Sequence, residues 1–80
     1  MFYVYLIQSI NFSDKKHISH TDNLKKRLPT HDSGGSVYTK DHRPWKLIMC
    51  LAFRDKLKAT AFEKYLKSGA GRVFAKKRFW

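Results

Sequence analysis

Eighty residues suffice for one small domain with one modest core, and 17 Lys and Arg against six acidic residues give a formal charge of +11 at pH 7. A content of 42% hydrophobic and 15% aromatic residues excludes a disordered chain. The lone cysteine, Cys50, excludes an intramolecular disulfide and a cysteine-based zinc site, and no apolar stretch reaches the length of a membrane span. So positive a field selects a polyanion as partner, with nucleic acid ahead of an anionic membrane surface. A cytoplasmic location is expected.

Phe2-Tyr3-Val4-Tyr5-Leu6-Ile7 is aromatic and β-branched with both faces apolar, as a central strand covered on both sides requires. Residues 1–10 lack a basic flank and a cleavage-like site, so they read as a strand and not as a signal peptide. Residues 11–16 are polar and turn-forming, and His17-Ile18-Ser19 pairs back as the second strand of a hairpin. A helix over residues 21–28 follows, with Thr21 or Asp22 as its N-cap and Leu24 and Leu28 as its apolar stripe. Arg27 sits beside that stripe, and Pro29 ends or kinks the helix.

Residues 31–36 read as a loop that continues to Pro44, with Tyr38, Lys40, His42 and Arg43 exposed. Residues 45–53 form the next strand, with Trp45, Leu47, Met49, Leu51 and Phe53 expected on one face. Asp55 can cap a second helix running to about residue 68, with Leu57, Ala61, Phe62, Tyr65 and Leu66 as its core arc and Gly69 as its stop. Residues 71–80 make a last basic helix with Lys76, Lys77 and Arg78 outside and Val73 and Phe74 inside. The order β-β-α-β-α-α predicts one α+β domain over residues 1–80, a three-stranded antiparallel sheet flanked by helices.

Few residues could do chemistry. Glu63 is the only glutamate, placed just outside the expected core arc. It can hold a metal from that boundary, or it can simply form an i,i+4 pair with Lys67. The five aspartates fall in turns or caps, so any Mg²⁺ would rest on one carboxylate, water and substrate phosphate. His17 ends a strand next to the Arg27 helix and suits a proton acceptor, its ordinary pKa lying near 6.5. His17 and His20, three apart, are a weak zinc pattern without cysteines or a second pair.

Several dispersed segments together resemble the GIY-YIG nuclease domain, and in particular its small stand-alone bacterial members. Tyr3-Val4-Tyr5 is followed, after eleven residues, by His17-Ile18-Ser19, with Thr21-Asp22-Asn23-Leu24 and Arg27-Leu28 behind. His31-Asp32-Ser33-Gly34, Tyr38-Thr39-Lys40 with Arg43-Pro44-Trp45, and the stretch from Glu63 to Gly71-Arg72 are similar as well. The resemblance implies a phosphodiesterase cutting nucleic acid, DNA ahead of RNA, with one Mg²⁺ or Mn²⁺ ion. It implies that Tyr5 lines the site near the attacking water, that Arg27 stabilises phosphate charge and that Glu63 holds the metal. It gives His17 the base position, with Lys16 or His31 assisting. Lys25, Lys26, Lys40, Arg43, Lys67, Arg72, Lys76, Lys77 and Arg78 complete the expected nucleic-acid-binding set.

The chain departs from the family pattern at four points. His17 stands where the second motif has tyrosine, and Ser19 adds a side chain where it has glycine. Pro29 shortens the Arg27 helix, and no asparagine follows Glu63 within residues 69–80. Two functions are therefore open: a metal-dependent endonuclease, or a degenerate domain that binds DNA or RNA without cutting it.

Overall fold

The computed structural model describes residues 1–26 and 42–80. Strand β1 (Phe2–Ser9) lies at the centre of a three-stranded antiparallel sheet ordered β2-β1-β3, with β2 at Lys16–Thr21 and β3 at Trp45–Phe53. Helix α1 opens at Leu24, and residues 24–26 are its described part. Helices α2 (Lys56–Lys67) and α3 (Gly69–Arg78) close the β-β-α-β-α-α order.

The central place of β1 follows from its two apolar faces: Val4, Tyr5, Leu6 and Ile7 are all 0% exposed. Alternation along the strand sends Val4 and Leu6 one way, against Ala59 and Leu66 of α2 and Ala75 of α3. Tyr5 and Ile7 point the other way, into a second cluster with Trp45, Leu24 and Cys50. The sheet is thus covered by α2 and α3 on one face and by the start of α1 on the other.

The β1–β2 hairpin is longer than the three expected residues, pairing Tyr3 with Thr21 through to Gln8 with Lys16. The cap of α1 moves accordingly. Thr21 belongs to the strand, its hydroxyl accepting the Asn23 N–H at 3.1 Å, and it is Asn23 whose side chain accepts the Lys26 N–H at 3.1 Å. Asn23, not Thr21 or Asp22, caps the helix. Residues 27–41 lie outside the described set, and with them Arg27, Leu28, Pro29, His31, Tyr38 and Lys40.

Strand β3 has the expected bounds but not the expected face. Its register slips between Leu6 and Ile7, which pair with Met49 and Leu47, leaving Ile48 as the extra residue of a bulge. One extra residue inverts the alternation. Trp45 therefore joins the Tyr5 face, while Met49 and Phe53 pack on the Val4–Leu6 face.

Asp55 caps α2 as expected, its carboxylate accepting the Leu57 N–H at 2.8 Å. The buried arc of that helix differs from the sequence reading. Ala59 and Leu66 are buried and Phe62 packs against them, whereas Leu57 is 79% exposed and Tyr65 42%. Gly69 does not stop α2 but begins α3. Ser68, extended at ψ 167°, ends one helix and caps the next, its hydroxyl accepting the Gly71 N–H at 3.2 Å. Val73, expected inside, is 57% exposed; Gly71 and Ala75 face the core instead.

Candidate active site

The arc Ala59, Phe62, Leu66 has the spacing i, i+3, i+7, and position i+4 of that arc is Glu63. The carboxylate is thereby carried inward, and its side chain is only 12% exposed. A charge at that depth needs partners. Glu63 has two: His20 Nδ1 lies 2.7 Å from Oε1, and Lys67 Nζ donates to Oε2 at 3.2 Å.

The strand explains why His20 is the partner. In β2 residues 17 and 20 differ by an odd number and so point to opposite faces. His20 pairs with Val4 and shares the helical face; His17 pairs with Ile7 and shares the Tyr5 face. They make no common zinc site. With Glu63 ionised and able only to accept, His20 must carry its proton on Nδ1 to bond it.

The sequence-predicted residues are thus divided. Glu63 meets His20 and Lys67 on the helical face. Tyr5 is fully buried on the opposite face beside Leu24, where α1 begins, and His17 lies on that face at the edge strand. Arg27 and His31 fall outside the described residues. Among the basic set, Lys16, Lys67, Arg72 and Lys76 border one cleft between β2 and α3. Lys25, Lys26 and Arg43 are exposed at other places, and Lys77 and Arg78 lie exposed along α3.

His20 is the functional candidate the sequence reading missed. Its signal was present as parity along the strand, once β2 is carried through to Thr21. Glu63 itself was placed just outside the core arc; the set Ala59, Phe62, Leu66 puts it within.

Among the described residues no group of three or more His, Cys, Asp and Glu side chains converges to cage a metal. The donor set present fits another arrangement. A carboxylate offers about four lone-pair positions, so each Glu63 oxygen keeps accepting capacity beyond its one basic partner. That suits Mg²⁺ held by one carboxylate with water and phosphate oxygens making up the rest. Cys50 is half-buried, and burial pushes its thiol pKa up, which keeps the sulfur protonated and inert. No described helix is long and apolar enough to cross a membrane.

Comparison with known proteins places the chain in a family. The model of the GIY-YIG catalytic domain matches residues 1–77. A UPF0213 protein of Lactococcus lactis is 38% identical over 68 residues, covering 82% of this chain and 62% of its own length. One of Clostridium perfringens is 34% identical over 68 residues, covering 84% of this chain and 71% of its own length. This chain therefore spans rather less than two thirds of the Lactococcus relative. The solution structure of a UPF0213 protein from Bacillus halodurans superposes with a TM-score of 0.56 at 26% identity, over 96% of this chain and 84% of that one. The relatives are UPF0213 proteins, a small stand-alone group, and the chain belongs with them to the GIY-YIG family of nuclease-type domains.

Proposed function

We propose that this chain is an endonuclease that hydrolyses phosphodiester bonds in nucleic acid, DNA ahead of RNA, with one Mg²⁺ or Mn²⁺ held by Glu63. The observation that carries the reading is the Glu63 carboxylate itself, drawn 88% out of solvent yet accepting from two separate basic groups. A surface ion pair needs no such depth, and a core would be more stable with an apolar residue there. Retaining a charge at this position is what a metal ligand requires.

When bound, the ion would polarise the phosphate and stabilise the leaving oxygen. The protein's own residues do the rest. His20 fixes one carboxylate oxygen, so that the other is presented in one orientation. Lys67, on the next turn of α2, neutralises Glu63 and stays within reach of a phosphate. His17, at the sheet edge, also borders the cleft that reaches Lys67, and from that edge it is the acceptor for the proton of the attacking water. Tyr5, fully buried, is suited to orienting its neighbours and not to meeting bulk water. Arg27 supplies the planar donor for phosphate charge.

Incubating the protein with supercoiled plasmid and Mg²⁺ or Mn²⁺, beside Glu63→Gln and an EDTA control, tests this. Nicking by the unaltered chain alone is expected; nicking by Glu63→Gln at the same rate would refute the role of Glu63. One observation favours binding without cleavage as the second reading: Ser19 pairs with Tyr5, so its hydroxymethyl group takes up space on the Tyr5 face where glycine would leave room. No nicking with retained low-salt binding would select it.

A further inference from the structure

Between the β2 edge and α3 runs a cleft of about 590 Å³ whose floor is apolar, from Ile18, Leu66 and Ala75, and whose sides are Lys16, Arg72, Lys76 and Trp80. It continues past Trp80 and Arg72 to Lys67. Lys67 is also the residue that donates to Glu63 Oε2 at 3.2 Å, so the cleft begins where the Glu63 site ends. Four cations line it on three separate elements. Among the described residues its one acidic lining side chain, on the stretch with Lys67, is Asp14, which is turned toward Lys15 at 3.9 Å and is 78% exposed.

A folded chain does not gather like charges along one cleft without cost, since they repel and the apolar floor lowers the screening between them. Lys16 is held there by a specific contact: its ammonium lies over the Trp80 ring, 5.4 Å from the centroid. The indole is itself anchored from behind by the core and by its backbone N–H, which donates to the Ala75 carbonyl at 3.1 Å. Trp80 thus fixes a cation where the two stretches of the cleft join, while Lys67 stands at the near end.

We propose that this cleft is the track for the nucleic-acid strand that leaves the Glu63 site, with Lys16, Lys67, Arg72 and Lys76 contacting successive phosphates and Trp80 positioning Lys16. The inference rests on the reading of Glu63 as the cleavage site, and it adds where the flanking backbone lies. The occupant is a sugar–phosphate backbone because the cleft offers a row of separated cations over an apolar floor; of its other polar side chains among the described residues, His17 and Gln8, the Gln8 amide already donates to the Ser13 carbonyl at 2.7 Å. The remaining basic residues on α3, Lys77 and Arg78, face outside it.

The test is fluorescence anisotropy with labelled single- and double-stranded oligonucleotides in EDTA, where nothing is cut, across a salt series. Arg72→Gln with Lys76→Gln is expected to lower the slope of log affinity against log salt by about 1 per residue, independently of sequence. Arg54→Gln with Lys58→Gln removes the same charge at the other end of the sheet and is expected to leave the slope unchanged. Lys16→Gln should weaken binding, and adding Trp80→Leu to it should weaken binding no further. Circular dichroism checks that each variant is folded.

Equal losses from the two double variants, no loss from either, or additive losses for Lys16→Gln and Trp80→Leu would overturn the track. So would displacement by poly-glutamate as effective as by an oligonucleotide of equal charge, which would mark the cleft for an acidic polypeptide. Plasmid nicking that survives alongside any of these refutes the track and leaves the nuclease intact. Cleft-dependent binding with no nicking keeps the track and refutes the nuclease.

Discussion

The His20–Glu63 contact gives the sharpest single prediction. In His20→Leu the carboxylate stays where α2 puts it, 12% exposed, and loses the partner on Oε1 while keeping Lys67. Removing one member of a fully buried pair costs about 3–5 kcal/mol, whereas an exposed pair is worth about 0–1 kcal/mol. Here one end is deep and the other, the His20 side chain, is 35% exposed, so solvent screens part of the interaction. The loss falls between those limits, at about 1–2 kcal/mol. For a domain of this size that is a fall in Tm of about 4–16 °C. Urea unfolding followed by the fluorescence of Trp45 and Trp80 measures it directly. Mn²⁺ titration, read by the loss of the free-ion electron paramagnetic resonance signal, should show affinity about 10-fold weaker, as for other groups that orient a ligand. His20→Asn separates the bond from the bulk, since its amide nitrogen occupies nearly the place of Nδ1 and can still donate. It should recover most of the Mn²⁺ affinity. Wild-type stability and metal affinity in His20→Leu, or His20→Asn as weak as His20→Leu, would refute the claim that this imidazole positions the carboxylate.

Three further outcomes follow from the packing. A Cβ at Gly71 would collide with the backbone carbonyl of Tyr65 and the Leu66 Cα, neither of which can swing aside. Gly71→Ala should therefore lose about 2–3 kcal/mol in urea unfolding despite the better helix propensity of alanine, and a gain would refute the close α2–α3 approach. Leu66→Ala should cost about 2–5 kcal/mol by the same measurement, and Leu57→Ser less than about 0.5 kcal/mol, because the first side chain is 0% and the second 79% exposed. Cys50, its thiol pKa raised by burial, should react slowly with iodoacetamide at mildly alkaline pH until the chain is unfolded. The sign for stability follows: the folded thiol holds its proton longer than the unfolded one, so stability is full below the unfolded thiol pKa and falls as pH rises past it, a decline that Cys50→Ala should reduce.

The strands were legible because their signals are local. The two-sided apolar run from Phe2 to Ile7 could only be a central strand, and β3 has the bounds its composition implies. What composition does not carry is the bulge at Ile48. Strict alternation put Trp45 and Phe53 on one face, yet they pack on opposite faces, because a bulge is a property of two paired strands. Nothing in residues 45–53 alone fixes it. The helix ends failed for a related reason. Thr21, Asp22 and Asn23 are all competent caps, and the length of the β1–β2 pairing decides among them by drawing Thr21 into the sheet.

The site repeats this at a finer scale. Reading α2 from Leu57 placed Glu63 just outside the buried arc, with Lys67 as its plain surface partner. The Lys67 pair is there, so that reading was incomplete and not mistaken. What it lacked was rotation. Leu57 is an apolar residue in the first turn of α2 that stays in solvent, and it pulled the expected arc away from Ala59, Phe62 and Leu66. Small alanines mark a buried face less loudly than leucine does, although close packing on a sheet favours them. Once the arc is set by Ala59, Glu63 turns toward β2, and the face it reaches is the one that even-numbered residues of β2 occupy. The second motif, read as His17-Ile18-Ser19, directed attention to an odd-numbered histidine. The residue that meets the carboxylate is the even-numbered one just beyond the motif's end. Strand parity and helix phase together select His20 as the partner, and neither does so alone.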